Sequence, residues 1–223
     1  MHFIQKHILR ELSQHPSLRY SQLQLRRVET NKFTYHLRKL MRDNLVKKVP
    51  DGYALTTKGV HYCTRVNFDE YTVRIQPKIV TLVVCKNKNR EYLMYRRTKR
   101  PFLGMIGFPY GKIHLGESVL TSVEREIVEK TGVTCPLSQK GIVYLLVSDA
   151  HGDVIEHMVC HVFYGDKPVG EALPHTKFGS IHWMSKKEIE EGPPMPGVLE
   201  ILKIATSKKN GLQFAEYTFE HAV

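Results

Sequence analysis

The stretch that decides the fold is Gly111-Lys112-Ile113-His114-Leu115-Gly116-Glu117-Ser118-Val119-Leu120-Thr121-Ser122-Val123-Glu124-Arg125-Glu126-Ile127-Val128-Glu129-Lys130-Thr131-Gly132-Val133. Glu117-Ser118 suits the start of a helix and Gly132 its stop, so a helix is predicted from about Ser118 to Lys130. At 100° per residue, Glu126, Glu129 and position 130 fall within an arc of roughly 100°. Leu120, Val123 and Ile127 form the adjoining apolar stripe, so the acidic cluster borders the core and lines a cleft. Carboxylates crowded so closely repel one another unless a divalent cation lies between them. Mg²⁺ takes such oxygen ligands and bridges to phosphates, which points to diphosphate chemistry. The alternative is a helix whose acidic residues are simply solvated.

Outward from this helix the pattern is mixed. The β-prone Ile79-Val80-Thr81-Leu82-Val83-Val84 is followed by a second strand after Lys86-Asn87-Lys88-Asn89 and by a loop rich in Gly and Pro. After the helix, strands are predicted at Gly141 to Val147 and Val154 to Tyr164, then a short strand ending at Trp183. Ser185-Lys186-Lys187-Glu188 fits a capping box, and a last helix covers roughly Pro196 to Thr206. Strands and helices in this order suggest an α/β sandwich. Gln213 to Val223, with Phe214, Tyr217 and Phe219, gives no clear pattern.

Gly111, five residues, Glu117, seven residues, Arg125-Glu126-Ile127, one residue, Glu129, then Gly132-Val133 resembles the signature of the Nudix hydrolases, G-x5-E-x7-R-E-U-x-E-E-x-G-U with U aliphatic. Gly107-Phe108-Pro109 before it and His182-Trp183 after it also fit, and the resemblance covers about residues 77–207. It implies a Nudix α/β/α sandwich with a mixed sheet, over a domain at 74–223. It implies that Gly111 through its carbonyl, Glu126 and Glu129 hold Mg²⁺ or Mn²⁺. Glu126 and Glu129 are then the catalytic candidates, one of them or a loop carboxylate deprotonating the attacking water. Glu117 and Arg125 are expected to pair and hold the loop to the helix. Arg96 and Arg97, at a strand end just before the box, are candidates for gripping substrate phosphates; a solvated basic turn with Lys99 and Arg100 is the other reading of them.

One fixed position departs from the signature: the last glutamate is Lys130. A protonated ammonium cannot ligate a metal. At ~4 Å and an effective dielectric near 20 its repulsion of a divalent ion is about 8 kcal/mol, and a quarter of that weakens metal binding some thirtyfold. Asp149, Asp153, Glu156 and Glu171 are the later carboxylates available to compensate. Reduced or lost hydrolysis is the expectation. His157, Cys160 and His161 do not read as a zinc site, because in an alternating strand 160 faces away from 157 and 161.

Charge marks a second domain. Residues 1–66 hold 13 Lys/Arg against 4 Asp/Glu, leaving only +2 of the net +11 to the rest of the chain. Phe3, Ile4, Ile8, Leu9 and Leu12 recur at helical spacing and His15-Pro16 ends that helix. A short helix fits Ser21 to Arg26. Thr30 or Asn31 can cap a third, with Phe33, Leu37, Leu40 and Met41 as its buried stripe. Val46 to Val49 and Tyr53 to Leu55 flank Pro50-Asp51-Gly52 as a hairpin, and a last helix contains Val60, Tyr62 and Val66. Leu18-Arg19-Tyr20-Ser21-Gln22-Leu23, Thr34-Tyr35-His36-Leu37-Arg38-Lys39-Leu40 and Gly52-Tyr53-Ala54-Leu55-Thr56-Thr57-Lys58-Gly59 together resemble the winged helix-turn-helix regulators over about residues 3–66. That resemblance implies that Lys32, Thr34, Tyr35 and Arg38 face DNA bases or phosphates, and Arg42, Lys47 and Lys48 phosphates. A basic block meeting a polyanion agrees with this. The other reading is a winged helix used for dimerisation or protein contact, its basic face solvated. A linker is expected at about residues 66–74, giving domains 1–66 and 74–223.

Hydrophobic residues at 42% and charged residues at 25% exclude a chain that is disordered in bulk. No apolar run approaches the ~20 residues of a membrane span. Four dispersed cysteines and the lack of a signal-like N-terminus point to reduced thiols in a cytoplasmic protein. The partners expected are a nucleotide-type small molecule and double-stranded DNA, with no membrane, and a homodimer. Three functions remain open. One is a Mg²⁺-dependent hydrolase of a nucleoside diphosphate linked to another group; another is a regulator that binds such a compound without cleaving it; the third does both.

Overall fold

Contacts along the chain gather into two units, Met1–Gln76 and Pro77–Val223. The computed structural model describes residues 1–70, 72–176 and 179–222. No described helix is long and apolar enough to cross a membrane.

The first unit contains α1 (Phe3–Gln14), α2 (Tyr20–Leu23), α3 (Thr30–Arg42), β1 (Val46–Val49), β2 (Gly52–Leu55), α4 (Thr57–Arg65), β3 (Val66–Asn67) and β4 (Thr72–Val73). Ile4, Ile8, Leu9 and Leu12 of α1 meet Phe33, Leu37 and Leu40 of α3 in one core, joined by Leu18, Leu23, Leu45 and Val46. Two expectations about these stripes need correction. Phe3 is exposed, and in α3 His36 is buried while Met41 is only partly covered. Position 36 lies one helical step from Phe33 and Leu40, and its ring is accepted because it stacks on His2 with centroids 4.0 Å apart. The cap expected at Thr30 or Asn31 is Glu29 instead, without a side-chain bond. The Thr30 hydroxyl accepts from Gln24 Nε2 at 3.1 Å. The second helix is a single turn. β1 and β2 form an antiparallel hairpin, Val49 opposite Gly52. Gly52 has φ +138°, and a Cβ there would lie 2.2 Å from the Leu18 carbonyl oxygen, so only glycine turns the chain here. The stretch around residue 70 is a small hairpin, β3 against β4, within this unit.

The second unit contains β5 (Lys78–Lys86), β6 (Tyr92–Arg97), β7 (Ile106–Gly107), β8 (Tyr110–Lys112), α5 (Val119–Thr131), β9 (Leu137–Ser148), β10 (Val154–Asp166), β11 (His175–Thr176), β12 (Gly179–Met184), α6 (Lys186–Glu191), α7 (Val198–Ala205) and β13 (Gln213–Glu220). The sheet runs β11-β12-β6-β5-β10-β9-β13 and is mixed, with β5/β10 and β9/β13 parallel. Alternate residues of β5 face two covers. Thr81 meets Ser122 of α5 (Oγ1 to Oγ, 3.5 Å). Leu82 faces the side where Met158, Cys160, Val198 and Ile201 gather, against α7. A helix on each face makes this an α/β/α sandwich. The C-terminal segment, unreadable in the sequence, is edge strand β13. Its Ala215, Tyr217 and Phe219 pack on the core while Phe214 stays exposed.

The sheet is forked where it matters for the site. β5 and β6 pair only at Lys86 with Tyr92. Beyond that, β8 pairs on β5 through Val80–Leu82 and β7 pairs on β6. α5 packs over β5 and β8 at the mouth of this fork. Ser118 caps α5 by accepting from the Thr121 N–H, and Gly132 at φ +74° ends it. Its buried side chains are Ser122, Val123, Glu126, Ile127 and Thr131. Leu120, expected in the stripe, is 52% exposed. The buried face is rotated from Leu120 toward Ser122 because Thr81, a small polar residue, lies beneath the first turns. Ile127→Ala is expected to cost about 2–5 kcal/mol in urea unfolding as a buried truncation, whereas Leu120→Ala should stay within about 0.5 kcal/mol. A large loss at Leu120 would contradict this docking of α5.

Candidate functional site

The site forms where α5 crosses β8, and its geometry starts from a missing side chain. A Cβ on Gly111 would lie 1.7 Å from Glu126 Cδ and about 2 Å from its two oxygens. The backbone of β8 and the carboxyl of Glu126 can be this close only because residue 111 is glycine. Glu126 is thereby held nearly out of solvent, 7% exposed, a position a carboxylate occupies only with charge partners.

Two cations supply them. Arg125 donates from Nη1 to Glu126 Oε1 at 2.7 Å. It also holds Glu117 as a bidentate pair, Nε to Oε1 at 2.7 Å and Nη2 to Oε2 at 2.9 Å, and reaches the Lys112 carbonyl at 3.3 Å. Glu117 Oε2 accepts from the His114 N–H at 2.9 Å. One guanidinium thus ties together the loop after β8, the start of α5 and the buried carboxylate. The Arg125 bonds, aided by the His114 N–H, draw the Glu117 pKa down to about 2. Glu129 stands 3.5 Å from Arg125 Nη1 and is more than half exposed.

Lys130 is the second cation. Its Nζ lies 3.1 Å from Glu126 Oε2, an ion pair outside hydrogen-bond geometry. The same Nζ donates to the Tyr110 carbonyl and lies 5.2 Å from the centroid of the Tyr110 ring. Burial lowers the Lys130 pKa, and Glu126 opposes that shift.

Beyond Lys130 is a cavity of about 240 Å³ lined by Tyr95, Arg97, Lys99, Pro109, Tyr110, Gly111, Lys112, Lys130 and Ile181. Four of these carry positive charge and none is acidic. Arg97 is fixed at its wall, Nε to the Lys99 carbonyl at 2.9 Å and Nη1 to the Tyr110 hydroxyl at 3.0 Å. Arg96 is not brought to the cavity. It points to the other side of β6 and binds the Gly104 carbonyl at 2.7 Å, as strand alternation requires. Lys99, Lys112 and the two tyrosines were not singled out in the sequence. The alternation of β6 around Arg97 marks Tyr95 as sharing its face, but only the fork brings β8 beside it.

A divalent metal is implied by the signature, and the donor set does not fit one. Mg²⁺ binds through carboxylate oxygens free to face it. Here Arg125 takes one oxygen of Glu126 and the Lys130 ammonium stands before the other. Three carboxylates, Glu117, Glu126 and Glu129, meet two cations, so the cluster carries little net negative charge to attract a dication. Gly111 and Glu126 do come together, but beside an ammonium, while Glu129 stands at Arg125. No cluster of three or more His, Cys, Asp or Glu suited to a metal occurs among the described residues. The later carboxylates do not repair this. Glu156 is 2% exposed, lies on the α7 face of the sheet and pairs with Lys78 at 2.5 Å. Asp149 closes its own turn by accepting from the His151 and Asp153 N–H groups. Neither Asp153 nor Glu171 lines the cavity. His157 bonds the Tyr144 hydroxyl at 2.5 Å and His161 bonds Gln139, while Cys160 is buried on the opposite face.

In the first unit, Lys32, Tyr35, Arg38 and Arg42 on α3 and Lys47 and Lys48 on β1 are exposed, Tyr35 by 60%. Thr34 is tied inward, its hydroxyl 2.8 Å from that of Tyr20.

Comparison with known proteins places these features. The NUDIX domain family matches residues 76–202, and a domain of unknown function, DUF7347, matches residues 4–66. The chain is 31% identical over 122 residues to the uncharacterized Nudix hydrolase YvcI of Bacillus subtilis, covering 54% of this chain and 76% of that one. It is 25% identical over 140 residues to an ADP-ribose pyrophosphatase of Methanocaldococcus jannaschii, covering 60% and 82%. The crystal structure of a MutT protein from Bacillus halodurans aligns with a TM-score of 0.52 and 26% identity, over 63% of this chain and 90% of that one.

The depressed pKa of Glu117 makes a pH prediction. Stability from its ionised form is complete above about 4.5, the ordinary value, and is lost as pH falls through about 2. Urea midpoints should therefore fall over that window in the native protein. Glu117→Gln should start lower and lose less across the same window; parallel pH profiles would refute the pairing.

Proposed function

The chain belongs to the Nudix family, and from that premise we propose that its second domain binds a nucleoside diphosphate-linked compound in the cationic cavity while its first domain, a winged helix-turn-helix, binds double-stranded DNA. The protein is then a ligand-responsive regulator acting as a homodimer, with weak or no hydrolysis. The observation that carries this reading is Lys130 at the last glutamate position, its ammonium set against Glu126 beside three further cations and no lining acid. Such a cavity attracts phosphate oxygens, and with the Glu126 oxygens taken by Arg125 and Lys130 it offers a metal poor ligands for generating hydroxide, so the ligand persists as a signal. The relation to an ADP-ribose pyrophosphatase supports a diphosphate-linked nucleotide as the class of ligand. The exposed cations of α3 and β1 support the DNA reading, with Lys32, Tyr35 and Arg38 toward bases or phosphates and Arg42, Lys47 and Lys48 toward phosphates. Thr34 has a smaller part, since its hydroxyl is engaged by Tyr20.

A second reading, hydrolysis by Glu126 and Glu129 with Mg²⁺ or Mn²⁺, is favoured by the retained box and by the hydrolase relatives. Assay of a panel of nucleoside diphosphate compounds separates the two. The native protein is expected to be silent and Lys130→Glu to gain metal-dependent cleavage; enzyme-like turnover by the native protein would sink the regulator reading.

For the first domain, Lys47→Ala/Lys48→Ala should weaken binding to all DNA sequences and lower the salt slope of log K by about 0.9 per lost phosphate contact. Arg38→Ala should instead alter sequence preference. Unchanged affinity and slope in both variants would remove the DNA reading, and light scattering giving one chain mass at micromolar concentration would remove the dimer.

A further inference from the structure

We infer that Lys130 takes the place of the metal, so that this site holds a diphosphate with cations belonging to the chain and needs no divalent ion. The inference rests on the nucleotide-diphosphate reading of the same cavity and specifies how that ligand is held. A glutamate at position 130 together with a dication amounts to one net positive charge, the same as a lysine alone. A phosphate entering from the cavity therefore meets the same net charge without any ion from solution.

The ammonium is anchored on three sides, by Glu126 Oε2 at 3.1 Å, by the Tyr110 carbonyl and by the Tyr110 ring at 5.2 Å. Its side chain is only 17% exposed, so it is held at the cavity wall and not trailing in solvent. Glu126 is fixed in turn by Arg125 and by the glycine at 111. The carboxylate that the family signature would assign to a metal here serves to orient an ammonium.

Arg97, Lys99 and Lys112 share the cavity with Lys130, and Arg97 is pinned by the Tyr110 hydroxyl and the Lys99 carbonyl. Planar guanidinium and point-charge ammonium groups around one small space suit the several oxygens of a diphosphate. An ammonium cannot activate water as a metal does, so the substitution keeps binding and removes the hydroxide source.

The test is calorimetry on the full chain at neutral pH, with ADP-ribose and with inorganic pyrophosphate, in EDTA and in Mg²⁺. Native protein should bind both probes in EDTA, with ADP-ribose affinity changing less than about threefold on adding Mg²⁺. Lys130→Met should lose about tenfold or more in EDTA, one charge at contact distance, and Lys130→Arg should keep most of the affinity. Lys130→Glu should bind only when Mg²⁺ is present. Thermal unfolding of each variant shows that it is folded, and Lys130→Arg carries the test if Lys130→Met is not. Native binding that requires Mg²⁺, or undiminished binding by Lys130→Met in EDTA, overturns the inference and leaves nucleotide recognition standing. Pyrophosphate bound in EDTA and lost in Lys130→Met, with ADP-ribose not bound, sinks the nucleotide reading alone. No binding of either probe in either buffer sinks both.

Discussion

The carboxylate of Glu126, buried against the backbone of Gly111 and clasped by Arg125 and Lys130, is the interaction around which the second domain's site is organised. A carboxylate out of water requires compensating charge. Each cation that compensates it reaches elsewhere: Arg125 to Glu117 and the Lys112 carbonyl, Lys130 to Tyr110. The loop before α5, the strand β8 and the first wall of the cavity are thus positioned by one buried charge. Removing either cation leaves the other partners misplaced as well as the carboxylate unpaired.

That arrangement depends on a forked sheet. Because β5 and β6 pair at only one position, two short strands occupy the gap and carry Tyr110 and Gly111 to the underside of α5. Arg97 on β6 faces the same space from the opposite side. A continuous sheet would have filled the cavity with cross-strand neighbours. The open seam also separates two chemistries within one domain. Cationic groups gather on the α5 side, and apolar side chains such as Met158 and Val198 gather on the α7 side.

A lysine at position 130 leaves the local shape of the box intact. The helix, its cap, its glycine stop and the glycine cradle all persist, since none of them depends on whether residue 130 is acidic or basic. What changes is the sign of one charge at the centre of the site.

How much of this the sequence fixes can be judged residue by residue. The spacing from Gly111 to Gly132 determines the helix, its cap and its stop, because helical periodicity and capping are local; the Arg125–Glu117 pair is implied by the resemblance, and the approach of Gly111 to Glu126 comes from packing β8 under α5. The β-prone apolar run of β5 likewise marks a strand, and the alternation of β10 sets its faces. Periodicity misjudged Leu120 and Phe3, which local pattern makes core and packing leaves exposed, and it missed His36, whose burial depends on a stacking partner from α1. β13 was illegible because an edge strand with one covered face is decided by the strand it joins, and β9 lies some seventy residues earlier in the chain. Arg96 and Arg97 look equivalent in sequence, and only the strand's orientation in the forked sheet sends one to the cavity. The sequence alone placed a lysine where an acid was expected. Tertiary structure alone decided that this lysine turns inward onto Glu126 and Tyr110, because the depth of burial and the carbonyl that receives it come from a different element.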